Sequence, residues 1–433
     1  MITKKTDIIV LLVSIIVVIL SINYNLFTKT FLGLYLLFLN IIVLLNSRND
    51  KKIFVIMFAI LYFNFSFVIS RYIGTPSSTV SDLFANIKMP STMIISINAQ
   101  ILFFSVLNFI ISGRIKKNDE IISEKITFPY RKILVFFLNL ALISILLYHL
   151  ANNITQSTTI LEYSIILFVF DLFLTKNTKI EKLIVEAILV MFSIYSIKNG
   201  DRIAVLQFLL ADFLINYVDK FSIKKIVIAI LIGIFSFTLF GIYGDLLDAH
   251  ADMNNLSIEN TYNTLLDRRF AIDTSVAAYH AGLTIVESGT RYYTFSQRAM
   301  NGFNYFATYT FLGNDASGYT PLNVEVLKYY GNIGGGYLTS YFYFWLGWLG
   351  IVLIAIYIAK LMIIFNNNKM RKMYISLLSI FVLSTFPRWY LYAPDLLFRG
   401  VVLFSIVYFI ISFVFLKDIS IVKIKKKKQM FRR

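Results

Sequence analysis

Residues 8–27 read IIVLLVSIIVVILSINYNLF and carry no charge over a length that crosses a bilayer as a helix. Similar apolar segments recur along the 433-residue chain, which is 58% hydrophobic and only 15% charged. This composition excludes a soluble globular enzyme, a coiled coil and a disordered scaffold. The hydropathy pattern predicts twelve spans, near residues 8–27, 31–46, 53–70, 91–111, 133–150, 160–175, 183–198, 203–218, 226–244, 337–364, 374–392 and 398–416.

The spans divide the chain into three parts, and together they predict an all-α polytopic membrane protein. Residues 1–244 hold spans one to nine with short loops, and residues 337–433 hold the last three spans and a basic tail. Between them, residues 245–336 form one large polar loop. Helical periodicity predicts that this loop is partly helical, with helices over 259–287 and 294–311. Long loops between spans are frequent places for function.

The basic residues predict which way the chain crosses the membrane. With the N-terminus in the cytoplasm, 29 of the 41 Lys and Arg residues lie on the inner side, and both termini are cytoplasmic. The net charge of +17 therefore reflects membrane orientation and contact with lipid headgroups rather than binding of nucleic acid.

The basic residues left on the outer side are mostly arginine, whereas those inside are mostly lysine. The outer arginines are Arg71, Arg202, Arg268, Arg269, Arg291, Arg298, Arg388 and Arg399. Because a guanidinium fork binds phosphate through two hydrogen bonds, this bias predicts an outer site for a phosphate or diphosphate.

The rare residue types exclude several kinds of chemistry. The chain has no cysteine, so disulfides, thiolate nucleophiles and Cys-ligated metal are excluded. Three histidines leave little for a His-rich metal site, and we predict neither a metal site nor a cofactor.

One face of the first loop helix carries candidate proton-transfer groups. Arg269, Asp273, His280 and Glu287 are spaced four, seven and seven residues apart, which places them on one helix face. The stripe fits either a solvated face with ordinary ion pairs or the charged wall of a cleft. As the general base we expect His280 first, then Asp273 and Glu287, and after them Glu325.

The chain resembles the Wzy-type polymerases of O-antigen or oligosaccharide repeat units in bacterial inner membranes. The resemblance lies in the predicted span count with a dominant late loop, and in the outer turn Asn199–Ala204, which is similar to a Gly-x-Arg turn of that family. The loop segments 318–323 and 330–336, followed by WLGWLG at 345–350, are similar to the end of the family's large loop. Arg291 and Gly302 match an Arg-x10-Gly pattern found in some members.

The resemblance implies a metal-independent glycosyltransferase with a GT-C-like helical fold and a periplasmic loop, active in O-antigen and lipopolysaccharide biosynthesis. The growing glycan would move from undecaprenyl diphosphate to the non-reducing end of a new undecaprenyl-diphosphate-linked unit, without a nucleotide sugar. Expected partners are these lipid-linked oligosaccharides and membrane lipids. Whether a chain-length regulator protein also binds stays open.

Cleavage of a sugar–diphosphate bond builds negative charge that arginines stabilise. For this role we expect Arg202 and Arg291 first, then Arg268, Arg269 and Arg298. Arg388 and Arg399, in the turn between the last two spans, either complete the same anion site or form structural pairs with Asp395.

Two alternatives remain. A flippase or transporter for the same lipid is suggested by four acidic residues within spans, namely Glu162, Asp171, Glu186 and Asp212. The absence of two related halves argues against it. An O-antigen ligase would share the outer arginines, but the His-Asn-like pair expected there is missing, because Ala281 and Gly282 follow His280.

Overall fold

The fold was taken from a computed structural model, which is helical apart from two short strands. It describes residues 4–24, 26–69, 89–116, 122–127, 130–152, 158–198, 202–248, 272–313, 318–330, 335–367, 373–415 and 420–425. All structural statements below concern these residues.

The first half contains ten helices and one strand. They are α1 (Lys4–Tyr24), α2 (Lys29–Ser47), α3 (Lys51–Ile69), α4 (Pro90–Ile111), β1 (Ile122–Thr127), α5 (Arg131–Ala151), α6 (Thr159–Tyr163), α7 (Ile165–Thr175), α8 (Lys179–Lys198), α9 (Arg202–Asp212) with a π-helical turn at Phe213–Tyr217, and α10 (Ile223–Asp248). Two of these helices begin at threonine caps, since the Thr28 hydroxyl accepts from the Phe31 N–H and the Thr158 hydroxyl from the Leu161 N–H.

The second half begins with the loop helices. They are α11 (Ile272–Arg291), α12 (Phe295–Asn304) with a π-helical turn at Tyr305–Tyr309, α13 (Thr310–Leu312) and α14 (Leu322–Val326). The chain then forms α15 (Leu338–Asn366), α16 (Met373–Ser384), α17 (Phe386–Leu391), α18 (Asp395–Phe415) and β2 (Ser420–Lys425). The strands pair antiparallel, Ile122 opposite Lys425. This small sheet is an addition to the predicted all-α fold.

The apolar segments predicted as spans are helical, and six helices of the described residues are long and apolar enough to cross a membrane. They lie at Lys5–Tyr24, Lys29–Ser47, Ser91–Ile111, Arg131–Ala151, Leu338–Asn366 and Asp395–Phe415. Two shorter apolar helices lie at Ile203–Tyr217 and Met373–Ser384. The multi-pass helical character is therefore confirmed, and the count of twelve stays a prediction.

The large loop is partly helical. The second predicted helix, 294–311, corresponds closely to α12, its π-helical turn and α13. The first, 259–287, is described only from Ile272 onward, as α11. This helix is buried from Ala278 to Gly289 and packs on α15, α4 and α3. This segment of the loop therefore belongs to the helical core.

Contacts define two ends of the bundle. At one, which we call the basic end, Asn366 donates to Asp50 at 3.0 Å and Lys51 donates to the Asp219 carbonyl at 3.0 Å. At the other, which we call the loop end, the Gly336 N–H donates to the Leu391 carbonyl at 3.1 Å. The segments predicted to be cytoplasmic thus meet at the basic end, and the predicted outer segments meet at the loop end.

Candidate functional site

The turn between α16 and α18 brings one predicted arginine against an acid from a distant segment. Helix α17 has proline near its start, at Pro387, and carries Arg388 at the loop end. The Arg388 guanidinium forms an ion pair with the carboxylate of Glu162 on α6. It also lies over the Tyr392 ring, 5.0 Å from the centroid. The side chains are 29% and 20% exposed, so a ligand can reach this pair.

Arg399, on the second turn of α18, lies between two aromatic rings. Its guanidinium carbon is 5.5 Å from the Tyr163 centroid and 5.7 Å from the Tyr309 centroid. Its Nε is buried and has no hydrogen-bond partner among the described residues. Aromatic faces stabilise a cation without using its N–H groups, so the Nε–H group is left for an acceptor.

Asp395 connects the two arginines to the loop. Its carboxylate accepts a hydrogen bond from the Tyr309 hydroxyl at 3.2 Å. In the first turn of α18, this negative charge also complements the helix dipole. Arg388 is thus paired with Glu162, and the charges of both Arg388 and Arg399 act on the Asp395 carboxylate.

Tyrosines of the large loop cover this charged group. The Tyr305 and Tyr309 centroids are 5.5 Å apart, and those of Tyr309 and Tyr319 are 4.7 Å apart. Burial, and then the nearby Asp395 carboxylate, raises the pKa of each of these three hydroxyls. They stay protonated at neutral pH and can donate to an anion. The Tyr305 side chain is buried, and its hydroxyl interacts with the Asp395 carboxylate.

We call this group the arginine–tyrosine cluster. It consists of Glu162, Tyr163, Tyr305, Tyr309, Tyr319, Arg388, Asp395 and Arg399. Chemically it offers two guanidinium forks and several hydroxyl donors for an anion, with two carboxylates that can accept a proton.

A close helix contact positions the loop tyrosines. The π-helical turn places Tyr305 and Tyr309 on one side of the α12 segment. Gly302 lets α12 approach α15, since a Cβ there would lie 2.8 Å from Cγ of Trp345. The Trp345 indole N–H donates to Asn301 at 2.8 Å, which fixes the contact. The glycine of the Arg-x10-Gly pattern thus has a packing role.

Glu287, a predicted base, lies away from the ligand-accessible surface. Its buried carboxylate accepts from the Met89 N–H at 3.0 Å and from the Thr92 hydroxyl at 2.7 Å, both in the first turn of α4. Arg291 Nη1 lies 3.8 Å away. A carboxylate that receives the first N–H groups of a helix acts as its cap and complements its dipole.

The other predicted residues are placed as follows. His280 is fully buried on α11, and Arg291 lies 5.5 Å over the Tyr292 ring. Arg298 lies 5.8 Å over Phe295, and its buried Nε has no hydrogen-bond partner among the described residues. The side chains of Arg202 and Asp273, and all of Arg268 and Arg269, lie outside the described residues. Of the predicted arginines, the described structure thus brings Arg388 and Arg399 together.

Sequence reasoning assigned Glu162 to a different role and gave Tyr163 none, whereas Tyr309 was one of the outer-loop aromatics expected to stack on sugars or to form an interfacial belt. Glu162 begins an apolar segment at its outer end, the same depth at which Arg388 ends another. Opposite charges at one membrane depth indicate a pair, and that signal was present in the sequence. No group of three metal-ligating side chains occurs in the described residues. No family model, curated protein or solved structure matches the chain.

Proposed function

We propose that this protein is a glycosyltransferase that polymerises lipid-linked oligosaccharide units. It transfers a nascent glycan from undecaprenyl diphosphate to the non-reducing end of a new undecaprenyl-diphosphate-linked unit, in O-antigen biosynthesis. The arginine–tyrosine cluster holds the diphosphate of the donor. The resemblance to Wzy-type polymerases and the chemistry of this cluster support the proposal.

The observation that carries it is the convergence of Arg388 and Arg399 at the loop end, with a hydrogen-bond donor left over. The buried Nε of Arg399 has no hydrogen-bond partner within the described residues. Buried donors are normally paired, so this group fits a missing acceptor. A diphosphate supplies oxygen acceptors and gains charge as the sugar bond breaks, which the guanidinium groups stabilise.

An apolar groove beside the cluster suits the lipid part of the donor. It has a volume of about 340 Å³ and lies between α3, α9 and α10. Its walls include Tyr62, Leu206 and Ile230, and also Phe386, which lies two residues before Arg388 in the chain. An isoprenoid chain in this groove would place its diphosphate near the arginines.

The proposal includes the finer architecture that the sequence suggested. The chain would have twelve spans and a GT-C-like fold in a bacterial inner membrane, with the loop end in the periplasm and both termini in the cytoplasm. This places the cluster at the headgroup level where the lipid diphosphate lies. In the reaction, the chain's own arginines neutralise the negative charge that develops on the leaving diphosphate.

The test is a deletion strain and a gel of its surface glycan. We expect lipid A core bearing one repeat unit and no ladder, with the ladder restored by the wild-type chain. A deletion that leaves the ladder intact contradicts the proposal. If no unit reaches the core, the defect is in export or ligation.

Transport of the same lipid is a second candidate, which one acidic residue favours. Asp171 on α7 is fully buried, and neither carboxylate oxygen has a hydrogen-bond partner among the described residues. Unpaired acids inside a membrane often mark a proton or ion path. In contrast, Glu186 lies 3.2 Å from Lys182, and Asp212 accepts from Asn216 at 2.6 Å. An intact ladder in an Asp171→Asn strain would remove this support for transport.

A further inference from the structure

We infer that Glu162 is the general base of the transfer reaction and that Arg388 keeps it in place until the diphosphate binds. The inference rests on the proposed function. It names a catalytic residue that was not among the bases predicted from the sequence.

The first step is accessibility. A general base must reach the hydroxyl proton of an incoming sugar. His280 and Glu287 are fully buried, and Glu287 already accepts hydrogen bonds from the start of α4. The Glu162 side chain, by contrast, is 20% exposed at the loop end.

The second step is the partner of Glu162. Its carboxylate is held by Arg388, one of the two guanidinium groups that converge in the cluster. A diphosphate carries more negative charge than a carboxylate and offers more oxygen atoms, so it competes for the Arg388 fork. Binding of the donor therefore frees carboxylate oxygens next to the bond that breaks.

The third step compares the remaining acids near the loop end. Asp395 lies in the first turn of α18, and its carboxylate already accepts a hydrogen bond from the Tyr309 hydroxyl at 3.2 Å. Glu325 is bound by Lys328 at 2.7 Å and Tyr293 at 2.8 Å, outside the cluster. Among the described acids, Glu162 alone combines exposure with direct contact to a cluster arginine.

The chemistry balances in one displacement. The acceptor hydroxyl oxygen bonds to the anomeric carbon of the donor sugar while the bond from that carbon to the phosphate oxygen breaks. The electron pair of the broken bond goes to the diphosphate, which stays on Arg388 and Arg399. The hydroxyl proton goes to Glu162, which becomes neutral as the diphosphate gains the charge.

The experiment uses the purified full chain in lipid nanodiscs with an undecaprenyl-diphosphate-linked repeat unit. Rate is measured as single-turnover elongation, and affinity with undecaprenyl diphosphate as the probe. We expect Glu162→Gln to slow elongation by roughly 100-fold or more. Its affinity for the probe should be equal to or greater than that of the wild type, because a competing charge is gone. Glu162→Asp should keep part of the rate.

The control is Glu186→Gln, which removes an acid paired with Lys182 at the basic end and should elongate normally. A Glu162→Gln variant that elongates at the wild-type rate overturns the inference. A Glu162→Gln variant that loses both affinity and thermal stability also overturns it, because Glu162 would then have a structural role. If only Asp395→Asn loses rate, Asp395 is the base instead. Failure of the wild-type chain to elongate the unit would instead overturn the proposed function.

Discussion

Gly313 lies against the guanidinium of Arg399, so that a Cβ at position 313 would overlap the guanidinium group. The backbone of Gly313 also has a φ of +68°, which favours glycine. The backbone at the end of α13 thus packs against the Arg399 guanidinium, which also lies beside the Tyr163 and Tyr309 rings.

The first prediction tests this contact. We expect Gly313→Ala to displace Arg399 and to reduce elongation, measured as glycan chain length and single-turnover rate. The matched control is Gly113→Ala, because Gly113 has a similar φ of +66° but open space around it. Alanine is disfavoured by the positive φ at both positions, but only the Cβ at position 313 would meet an arginine. Equal activity of the two variants would argue against a role for the contact.

The second prediction concerns the planar shape of the cluster arginines. Arg388→Lys and Arg399→Lys keep the charge but lose the fork and much of the stacking on aromatic rings. We expect each to weaken binding of undecaprenyl diphosphate by roughly 10- to 100-fold, the equivalent of one charge-assisted hydrogen bond. Arg48→Lys, on an exposed residue at the basic end, serves as the control. Unchanged affinity in both cluster variants would mean that the diphosphate binds elsewhere.

The third prediction separates capping from catalysis at Glu287. Glu287→Gln replaces the charged acceptor at the start of α4 by a neutral amide. We expect it to lower the free energy of unfolding by about 1–3 kcal/mol, because the Met89 N–H and Thr92 hydroxyl lose a charged acceptor. Thermal unfolding and elongation are measured on the same samples. A normal melting temperature with a large loss of rate would support the alternative prediction that Glu287 is the base.

The helical architecture was predictable because apolar segments of about 20 residues allow one solution, a helix that satisfies its own backbone groups. Residues 133–150 and 398–416 illustrate this, since α5 and α18 begin and end within a few residues of the prediction. The loop was harder to predict. Residues 272–291 are too polar to be predicted as a core helix, yet α11 is buried from Ala278 to Gly289. The start of α4 supplies partners for Glu287, and the hydroxyls of Thr284 and Ser288 donate to carbonyls of α11 itself.

The candidate site was predictable in kind and only partly in its members. The bias toward arginine on the predicted outer side indicated an anion site and included Arg388 and Arg399. The predicted spans place Glu162 and Arg388 at a similar depth, but no local spacing joins them, because they are 226 residues apart along the chain. Such a contact depends on helix packing, and a single sequence does not encode it in a local pattern.

The fourth prediction is a pH dependence at the edge of the loop. Partial burial acts to raise the pKa of Glu325, but hydrogen bonds from Lys328 and Tyr293 outweigh it and lower the pKa below its ordinary value. A lowered folded-state pKa contributes stability above the unfolded value of about 4.3. That contribution is lost as the pH falls through the folded-state pKa.

We therefore expect the wild type to melt at a higher temperature than Glu325→Gln at pH 7. The difference should shrink as the pH falls below about 4. Thermal unfolding in detergent between pH 3 and pH 7 measures it. A difference that stays constant over this range would exclude a stabilising role for the ionised carboxylate.

The fifth prediction tests the apolar groove. Gly233 on α10 forms part of its wall, and a Cβ added there has no heavy atom within 4 Å. Gly233→Phe should therefore fold, since replacing a mid-helix glycine removes a conformational penalty of about 0.5–1 kcal/mol, while its ring fills space that a lipid chain would occupy. We expect weaker binding of undecaprenyl diphosphate and shorter glycan chains at an unchanged melting temperature. Gly233→Ala leaves the groove open and should behave like the wild type. Inorganic diphosphate, which has no lipid chain, should bind equally well to both variants. If the Gly233→Phe variant binds undecaprenyl diphosphate normally, the isoprenoid chain lies outside this groove.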